Sequence, residues 1–251
     1  MTSEFTPSHG VRFEISGQFA HFRDVFTQSF FATLPGPPRT TILGMIGAAL
    51  GLGEAETIEL GKKLLIGLKI IDIKGFANEV TTALNLKPPA KEKDEESTPT
   101  SWPTRTPVLR SLIVEPRYEV CVASIDTDLL SRIAEGLRSP FYPIYLGISD
   151  FIACVTRVDD TKILTKASRK TIDCATPVTS KDKPIERLHG SLAGLYVPPR
   201  KYHTIHSFRL TPKGREHDRY IDLLMFFRCS VQFSHDREVY TFEDGAHFCV
   251  F

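Results

Sequence analysis

The residues best placed to do chemistry form the run Arg39-Thr40-Thr41, between a proline-rich turn at 35–38 and an apolar segment. Threonine in this position is typical of a helix N-cap. The first turn of a helix has unpaired N–H groups and the positive end of the helix dipole, so it favours an anion. With a guanidinium and two hydroxyls beside it, this helix start could bind a phosphate. The alternative is an ordinary N-cap that carries a surface arginine. The glycines that follow match no nucleotide-binding motif.

A second candidate is the stretch 186–220, where arginine, lysine, histidine and tyrosine are interleaved and which includes Arg200 and Lys201. Basic side chains neutralise phosphates and aromatic rings stack on unpaired bases, so this mixture suits single-stranded RNA. The alternative is a solvated loop surface. The spacing of His203 and His206 alone could suggest a metal, but no carboxylate pair or cysteine cluster completes a site nearby. We therefore expect neither a metal nor a cofactor.

Signals for catalysis are weak. A metal-free ribonuclease needs a histidine general base together with an acid or a cation near the phosphate. His21, His189 and Tyr202 with Lys201 are candidates, but nothing in the sequence shows that any two converge. Serine-hydrolase and zinc-protease motifs do not occur in the sequence.

The single tryptophan, Trp102, follows a charged segment at 87–100 that has no aliphatic side chain larger than alanine. Such a composition predicts a solvated insertion. At the base of a hairpin the indole could wedge between bases or anchor the hairpin to its own domain, and we favour the anchor.

The elements that must position these residues follow from hydrophobic periodicity and turn signals. Helices are expected after Thr41 and after Asp126, and strands at 11–22, 64–73, 80–86, 108–114, 118–124 and 142–147. This order is the β-α-β-β-α-β pattern of a ferredoxin-like α+β fold with a long hairpin. We predict one domain over 1–155, with the hairpin insertion at about 75–115, and a smaller β-rich portion over 156–251.

Composition limits the class of protein. The chain has 251 residues, 41% hydrophobic and 24% charged, with 31 basic and 30 acidic side chains and a net charge of +1. These values exclude a wholly disordered or disulfide-dense chain and argue against electrostatic coating of nucleic acid over the whole surface. The five scattered cysteines suggest buried, reduced thiols, and the longest apolar run, 42–52, is too short to span a membrane. We expect a soluble, cytoplasmic protein.

Two blocks of sequence resemble the CRISPR-associated Cas5 family. The first is Phe-Ala-His-Phe-Arg at 19–23, followed at 34–52 by Leu-Pro-Gly-Pro-Pro-Arg-Thr-Thr and a Gly/Ala-rich helix. The second begins with Ser-Pro-Phe-Tyr-Pro and covers 139–150. The resemblance extends over roughly 10–155 and is nearest to subtype I-B or I-A.

The resemblance implies a ferredoxin-like, RRM-type fold of the RAMP superfamily with a hairpin thumb. It also implies a non-catalytic subunit of Cascade, the crRNA-guided complex of prokaryotic antiviral defence. In that role the protein caps the 5′ handle of crRNA, contacts the backbone and large subunits, and meets target DNA only indirectly, with no membrane involved. RNA-binding positions carried over by motif are Arg23, Arg39, Thr40 and Thr41, while Trp102, Arg105 and Arg110 are assigned to the thumb by their place in the order.

Two features depart from the family. The glycine-rich loop frequent in RAMP proteins is not recognisable, and 189–194 is only a faint echo of it. One branch of the family, in I-C systems, is itself the endoribonuclease that matures crRNA, but the matched blocks do not include its catalytic Tyr/Lys/His set. We therefore expect no catalysis. The alternatives are a metal-independent endoribonuclease that processes repeat RNA and a pure protein–protein adaptor.

Overall fold

The computed structural model describes residues 6–27, 30–85, 104–188 and 195–251, and its elements within these residues make an α+β fold. The helices are α1 (Arg39–Leu50), α2 (Glu54–Gly61) and α3 (Thr127–Arg138). The strands are β1 (His9–Ser16), β2 (Phe19–Ala20), β3 (Leu65–Asp72), β4 (Gly75–Asn85), β5 (Thr104–Val114), β6 (Arg117–Ser124), β7 (Cys154–Val158), β8 (Lys162–Ile163), β9 (Thr165–Ile172), β10 (Thr176–Pro177), β11 (Ile185–Leu188), β12 (Val197–Thr211), β13 (Gly214–Phe227), β14 (Cys229–Thr241) and β15 (His247–Phe248).

The central sheet has the strand order β3-β6-β1-β7, and each neighbouring pair is antiparallel. Alternate residues of β1, namely Val11, Phe13 and Ile15, are fully buried, as expected for a strand with one face on a core. Helix α1 lies between β1 and β3 in the chain, and α3 lies between β6 and β7. Asp126 caps α3 by accepting a hydrogen bond from the N–H of Leu129, which confirms the predicted helix start.

The first predicted strand breaks at its glycine. Residues 9–16 pair with β6, while Phe19–Ala20 pairs with β5 in a different sheet. A side chain at Gly17 would lie 2.5 Å from Leu146, so the residue that turns the chain between the two sheets must be small.

The prediction of a strand at 142–147 is wrong. Tyr145 makes only an isolated bridge to Ile152, and the fourth strand of the sheet is β7. Here turn geometry overrides the apolar composition: Gly147 has φ 98°, and a Cβ atom on it would lie 1.9 Å from the carbonyl oxygen of His21. Close backbone approach therefore requires glycine at this position.

Strands β4 and β5 form the long hairpin expected from the sequence, paired in register from Gly75 with Val114 to Asn85 with Thr104. Its tip, including the insertion at 87–100 and Trp102, lies outside the described residues. The roles suggested for Trp102 therefore stay predictions.

After Val158, β8 pairs with β1 in the central sheet, and the later described strands form two further sheets, in the orders β10-β13-β12 and β11-β14-β15 with β9 beside β14. The expected domain boundary at 155 falls inside β7, which belongs to the central sheet. The main hydrophobic core includes Phe227 and Phe251 together with Phe13, so the C-terminal portion shares this core. No helix of the described residues is long and apolar enough to cross a membrane.

Candidate nucleic-acid interface

Helix α1 begins one or two residues before the expected N-cap. Pro38 occupies the cap position, and its carbonyl oxygen accepts from the N–H groups of Thr41 and Ile42 at 3.0 and 3.2 Å. No side chain caps the helix, and its first turn has no acidic residue. The positive end of the helix dipole is therefore not neutralised by a carboxylate in that turn, while the half-buried Thr40 and Thr41 lie beside it.

Arg39, by contrast, does not face outward. Its side chain donates hydrogen bonds to the carbonyl oxygens of Phe251, His206, Gly61 and Leu64 over 2.6–3.2 Å, and the residue is 5% exposed. Burial, and secondarily the charge of Arg219, lowers its pKa to about 10, so it stays charged at neutral pH. This corrects the expectation that Arg39 binds phosphate: its donors are already committed to the main chain.

Arg23 lies at the surface next to the helix start. Its guanidinium is 4.0 Å from the centroid of the Phe31 ring, which leaves the positive charge exposed on a rigid aromatic support. A small depression brings together Arg23, Thr40 and His203. The structure thus places two of the motif-assigned residues beside the hairpin formed by β12 and β13.

Three rings of that hairpin and the loop residue Phe26, which packs against them, form an aromatic ladder, which we define as Phe26, His203, Tyr220 and His217. The rings of His203 and Tyr220 stack with centroids 5.0 Å apart and planes 10° apart, and Phe26 lies 5.2 Å from His203. His217 meets Tyr220 edge to face at 5.8 Å. Phe26 is 56% exposed and Tyr220 44%, so ring surface remains available for further stacking.

Charge beside the aromatic ladder is mixed. Asp222 accepts from Lys201 at 3.0 Å and from the Nδ1–H of His203 at 2.7 Å, and these bonds, that of His203 first, lower the pKa of Asp222. Arg200 and Arg219 are exposed. Basic side chains of the stretch 186–220 are therefore exposed at the surface, although Lys201 is paired there with Asp222.

A cleft of about 820 Å³ separates α1 and α2 from the hairpin. Thr40, His206 and Arg219 contribute to its lining. Burial and the charges of Arg39 and Arg219 lower the pKa of His206 to about 4, so its imidazole is neutral at pH 7. The Nδ1 atom of His206 is buried with no hydrogen-bond partner among the described residues.

The thumb residues differ from one another. Arg110 forms salt bridges with Glu79 and, at 3.2 Å, with Asp150, so its guanidinium is already paired with two carboxylates. Arg105 is exposed on β5 near the hairpin tip. Phe31 connects the β4–β5 hairpin to the surface around Arg23, because its N–H donates to the carbonyl oxygen of Leu109 and its C=O accepts from the N–H of Ser111, both on β5.

Of the candidate catalytic residues, His21 and Tyr202 lie in the described part of the chain, and each is engaged with its own surroundings. His21 is 3% exposed and donates its Nδ1–H to the carbonyl oxygen of Ser111 at 2.8 Å, while burial lowers its pKa. Tyr202 packs against the main core, and burial raises its pKa. His189 lies outside the described residues. The structure therefore does not show His21 and Tyr202 acting on a common phosphate.

The contribution of Phe26 could not be predicted. It lies in an aromatic-rich stretch of the sequence, but nothing local indicates that it joins His203 and Tyr220, which are 177 and 194 residues further along the chain.

The chain is similar to known proteins in sequence and in fold. The family model described as CRISPR-associated protein (Cas_Cas5) matches residues 10–222. A chain of a solved "CRISPR RNA-guided surveillance complex" is 16% identical, with a TM-score of 0.52 and coverage of 89% of this chain and 90% of that one. A "CRISPR protein from Archaeoglobus fulgidus", known from a crystal structure, is 15% identical, with a TM-score of 0.54 and coverage of 96% and 98%. At these identities the likeness shows a shared fold. No curated protein sequence matches the chain.

Proposed function

Because the chain belongs to the CRISPR-associated Cas5 family, we propose that it is a non-catalytic RNA-binding subunit of a CRISPR effector complex in antiviral defence. In this proposal it caps the 5′ handle of crRNA. The observation that carries the proposal is the convergence of Arg23, Thr40 and His203 on one surface, beside an uncapped helix start and exposed rings.

The arrangement of the central sheet supports the family fold. With β1, β3, β6 and β7 taken as strands one to four, the order β7-β1-β6-β3 is the 4-1-3-2 order of a ferredoxin-like domain. The hairpin β4–β5 is inserted between the second and third of these strands, where the family has its thumb. We infer that this hairpin is the thumb.

The chemistry of the interface divides into three parts. Arg23, Arg200 and Arg219 are exposed cations for phosphates, and the rings of Phe26 and Tyr220 are stacking surfaces for unpaired bases. The hydroxyls of Thr40 and Thr41 suit hydrogen bonds to 2′-OH groups. The cleft beside them is within the size range of small-ligand pockets, so one unstacked nucleotide can enter it.

Exposed apolar side chains support partners as well as RNA. Phe141 is 70% exposed and packs edge to face with Tyr142, and Ile152 is also largely exposed. We propose that surfaces of this kind contact the backbone and large subunits, with target DNA reached only through them. The subtype nearest to the sequence is I-B or I-A, and the proposed location is the prokaryotic cytoplasm.

A second candidate function rests on His203. Its imidazole is exposed, oriented by Asp222 and close to Lys201, an arrangement that a general base next to a phosphate would use. A metal-independent endoribonuclease for repeat RNA is therefore the alternative. Purified protein incubated with repeat RNA in EDTA separates the two functions: intact RNA supports the capping subunit, and specific cleavage that His203→Ala abolishes supports the enzyme.

The proposed function is tested by assembly with crRNA. Co-expression of the double variant Arg23→Ala/Thr40→Ala with the other subunits should reduce the yield of complex and the protection of the crRNA 5′ end. Lys170→Ala is the matched control, because Lys170 is exposed on β9, in a different sheet. Unchanged assembly and protection in the double variant would contradict the site, and RNA affinity that is independent of salt would favour a pure adaptor.

A further inference from the structure

Two buried cysteines lie side by side behind the C-terminal tail, away from the aromatic ladder. Cys174 follows β9, and Cys249 follows β15, two residues before Phe251. The backbone N–H of Cys249 donates to Sγ of Cys174 over 3.2 Å. Chain segments 75 residues apart thus meet at these two cysteines.

The surroundings distinguish the two thiols. The bond from Cys174, the Thr176 hydroxyl and the charges of Arg237 and His247 lower the pKa of Cys249 against the effect of burial. The bond to Cys249 and burial raise the pKa of Cys174. Of the two cysteines, Cys249 and not Cys174 contributes to the lining of a surface cavity, so we take Cys249 as the nucleophile of the pair.

Cys249 is buried but lies at the wall of a surface cavity. It contributes to the lining of a surface cavity of about 300 Å³, together with Thr176, Arg237 and Val250. Acidic groups near this cavity are Asp236 and Glu238 in its lining and Asp173, which lies 3.1 Å from His247.

The other cysteines lack this combination of features. Cys121 and Cys229 are buried, and burial raises the pKa of both, that of Cys229 to about 12. Cys154 is exposed. These three thiols serve as internal references for the reactivity of the pair.

We propose that Cys174 and Cys249 form a reversible disulfide, with a hydroperoxide or a small-molecule disulfide as the oxidant. With a hydroperoxide, the Cys249 thiolate attacks the terminal oxygen, the O–O bond breaks, and the leaving oxygen takes a proton from solvent, which gives a Cys249 sulfenic acid and an alcohol, or water when the oxidant is hydrogen peroxide. The Cys174 thiol then attacks that sulfur, the S–S bond forms and water leaves. Two thiols are oxidised and one peroxide is reduced.

The disulfide would fix the C-terminal tail. Gly67 and Val250 form a β-bridge, Phe251 exchanges two backbone hydrogen bonds with Ile66, and its carbonyl oxygen also accepts from Arg39 at the start of α1. A disulfide at Cys249 would therefore hold in place the C-terminal tail, which accepts a hydrogen bond from Arg39 in the first turn of α1.

The test is thiol counting on the full chain after treatment of the folded protein with hydrogen peroxide. After removal of peroxide and unfolding, the treated protein should show three free thiols instead of five. Non-reducing peptide mass spectrometry should find the Cys174 and Cys249 peptides joined, with the loss of two hydrogen masses, and dithiothreitol should restore all five thiols. The melting temperature of the oxidised protein should be higher, because the cross-link restricts the unfolded chain.

Cys174→Ser and Cys249→Ser should each abolish the intramolecular link, whereas Cys154→Ser should leave it unchanged. If a serine variant fails to fold, the peptide map of the unmodified chain decides alone. Free thiols at both Cys174 and Cys249 after a treatment that oxidises the exposed Cys154 would overturn the proposal, as would a link that joins Cys154 of two copies and spares the buried pair.

Discussion

Replacement of Arg39 tests whether this residue binds RNA or holds the protein together. In the structure its guanidinium joins the C-terminal tail, the hairpin β12–β13, the end of α2 and the residue before β3, through four main-chain carbonyl oxygens. Arg39→Ala leaves these oxygens without their donors. Arg39→Lys keeps the charge, but its single ammonium cannot reproduce the planar fork of donors.

The size of the effect follows from these four bonds. A net contribution of about 1 kcal/mol for each bond predicts that Arg39→Ala lowers the free energy of unfolding by about 4 kcal/mol. The desolvation of a buried charge, which is relieved in the variant, makes this value an upper estimate. Against a typical domain stability of about 5–15 kcal/mol, such a loss leaves a marginally folded protein, and Arg39→Lys should lie between the variant and the parent.

Urea unfolding followed by circular dichroism measures the loss, and RNA titration at several salt concentrations measures binding by the folded protein. Arg200→Ala is the matched control: it removes an exposed arginine of the same interface and should change stability by less than about 0.5 kcal/mol. A loss below about 1 kcal/mol for Arg39→Ala, together with a weaker salt dependence of RNA binding, would refute the structural role and restore the phosphate role.

Four further outcomes are expected. Tyr220→Ala should weaken RNA binding in fluorescence anisotropy by about 1–3 kcal/mol, because one stacking ring is lost, whereas Tyr220→Phe should bind normally; equal losses would mean that the hydroxyl matters and not the ring. Arg200→Ala should reduce the slope of log affinity against log salt by about 0.7, and an unchanged slope would place Arg200 outside the RNA path. His206 protonates near pH 6.5 when unfolded but at about 4 when folded, so the unfolded state binds more protons between these values and stability falls as pH falls. Discounted because His206 is partly exposed, the pKa difference corresponds to a loss of about 2 kcal/mol in the free energy of unfolding. This loss should be absent in His206→Gln, and identical pH profiles of stability for the variant and the parent would exclude the role of His206. Gly147→Ala should lower the melting temperature strongly, since its Cβ would overlap the His21 carbonyl oxygen, and a neutral result would mean that the loop can move away.

Much of the fold was predictable because its signals are local. Strand β3 reads as a continuous apolar run, α3 has an Asp126 cap and apolar residues at helical spacing, and the β4–β5 hairpin flanks a charged insertion. Helix α2 was missed because it is short and acidic. At its start the Gly53 N–H donates to the Glu56 carboxylate at 2.8 Å, and the N–H and hydroxyl of Thr57 both donate to the carbonyl oxygen of Gly53.

The site was only partly predictable, for a physical reason. Composition alone indicated the basic and aromatic stretch that became the surface of β12 and β13. Which way an arginine points, however, depends on partners distant in sequence: the carbonyl oxygen that accepts from Nε of Arg39 belongs to Phe251, 212 residues away. The local sequence showed a cation at a helix start, but it could not show that four main-chain carbonyl oxygens accept hydrogen bonds from that cation.

These contacts give Arg39 a function that does not require contact with RNA. A near-neutral chain cannot attract RNA over its whole surface, so binding depends on a few exposed groups held in fixed positions. Thr40 follows Arg39 directly, and His206, whose carbonyl oxygen Arg39 bonds, lies on the same strand as His203. One buried cation thus fixes the start of α1 relative to the strand that carries the aromatic ladder. We therefore expect Arg39, in the block at 34–52, to influence the proposed RNA binding through the positions of Thr40 and His203, a role that an exposed arginine such as Arg200 could not take over.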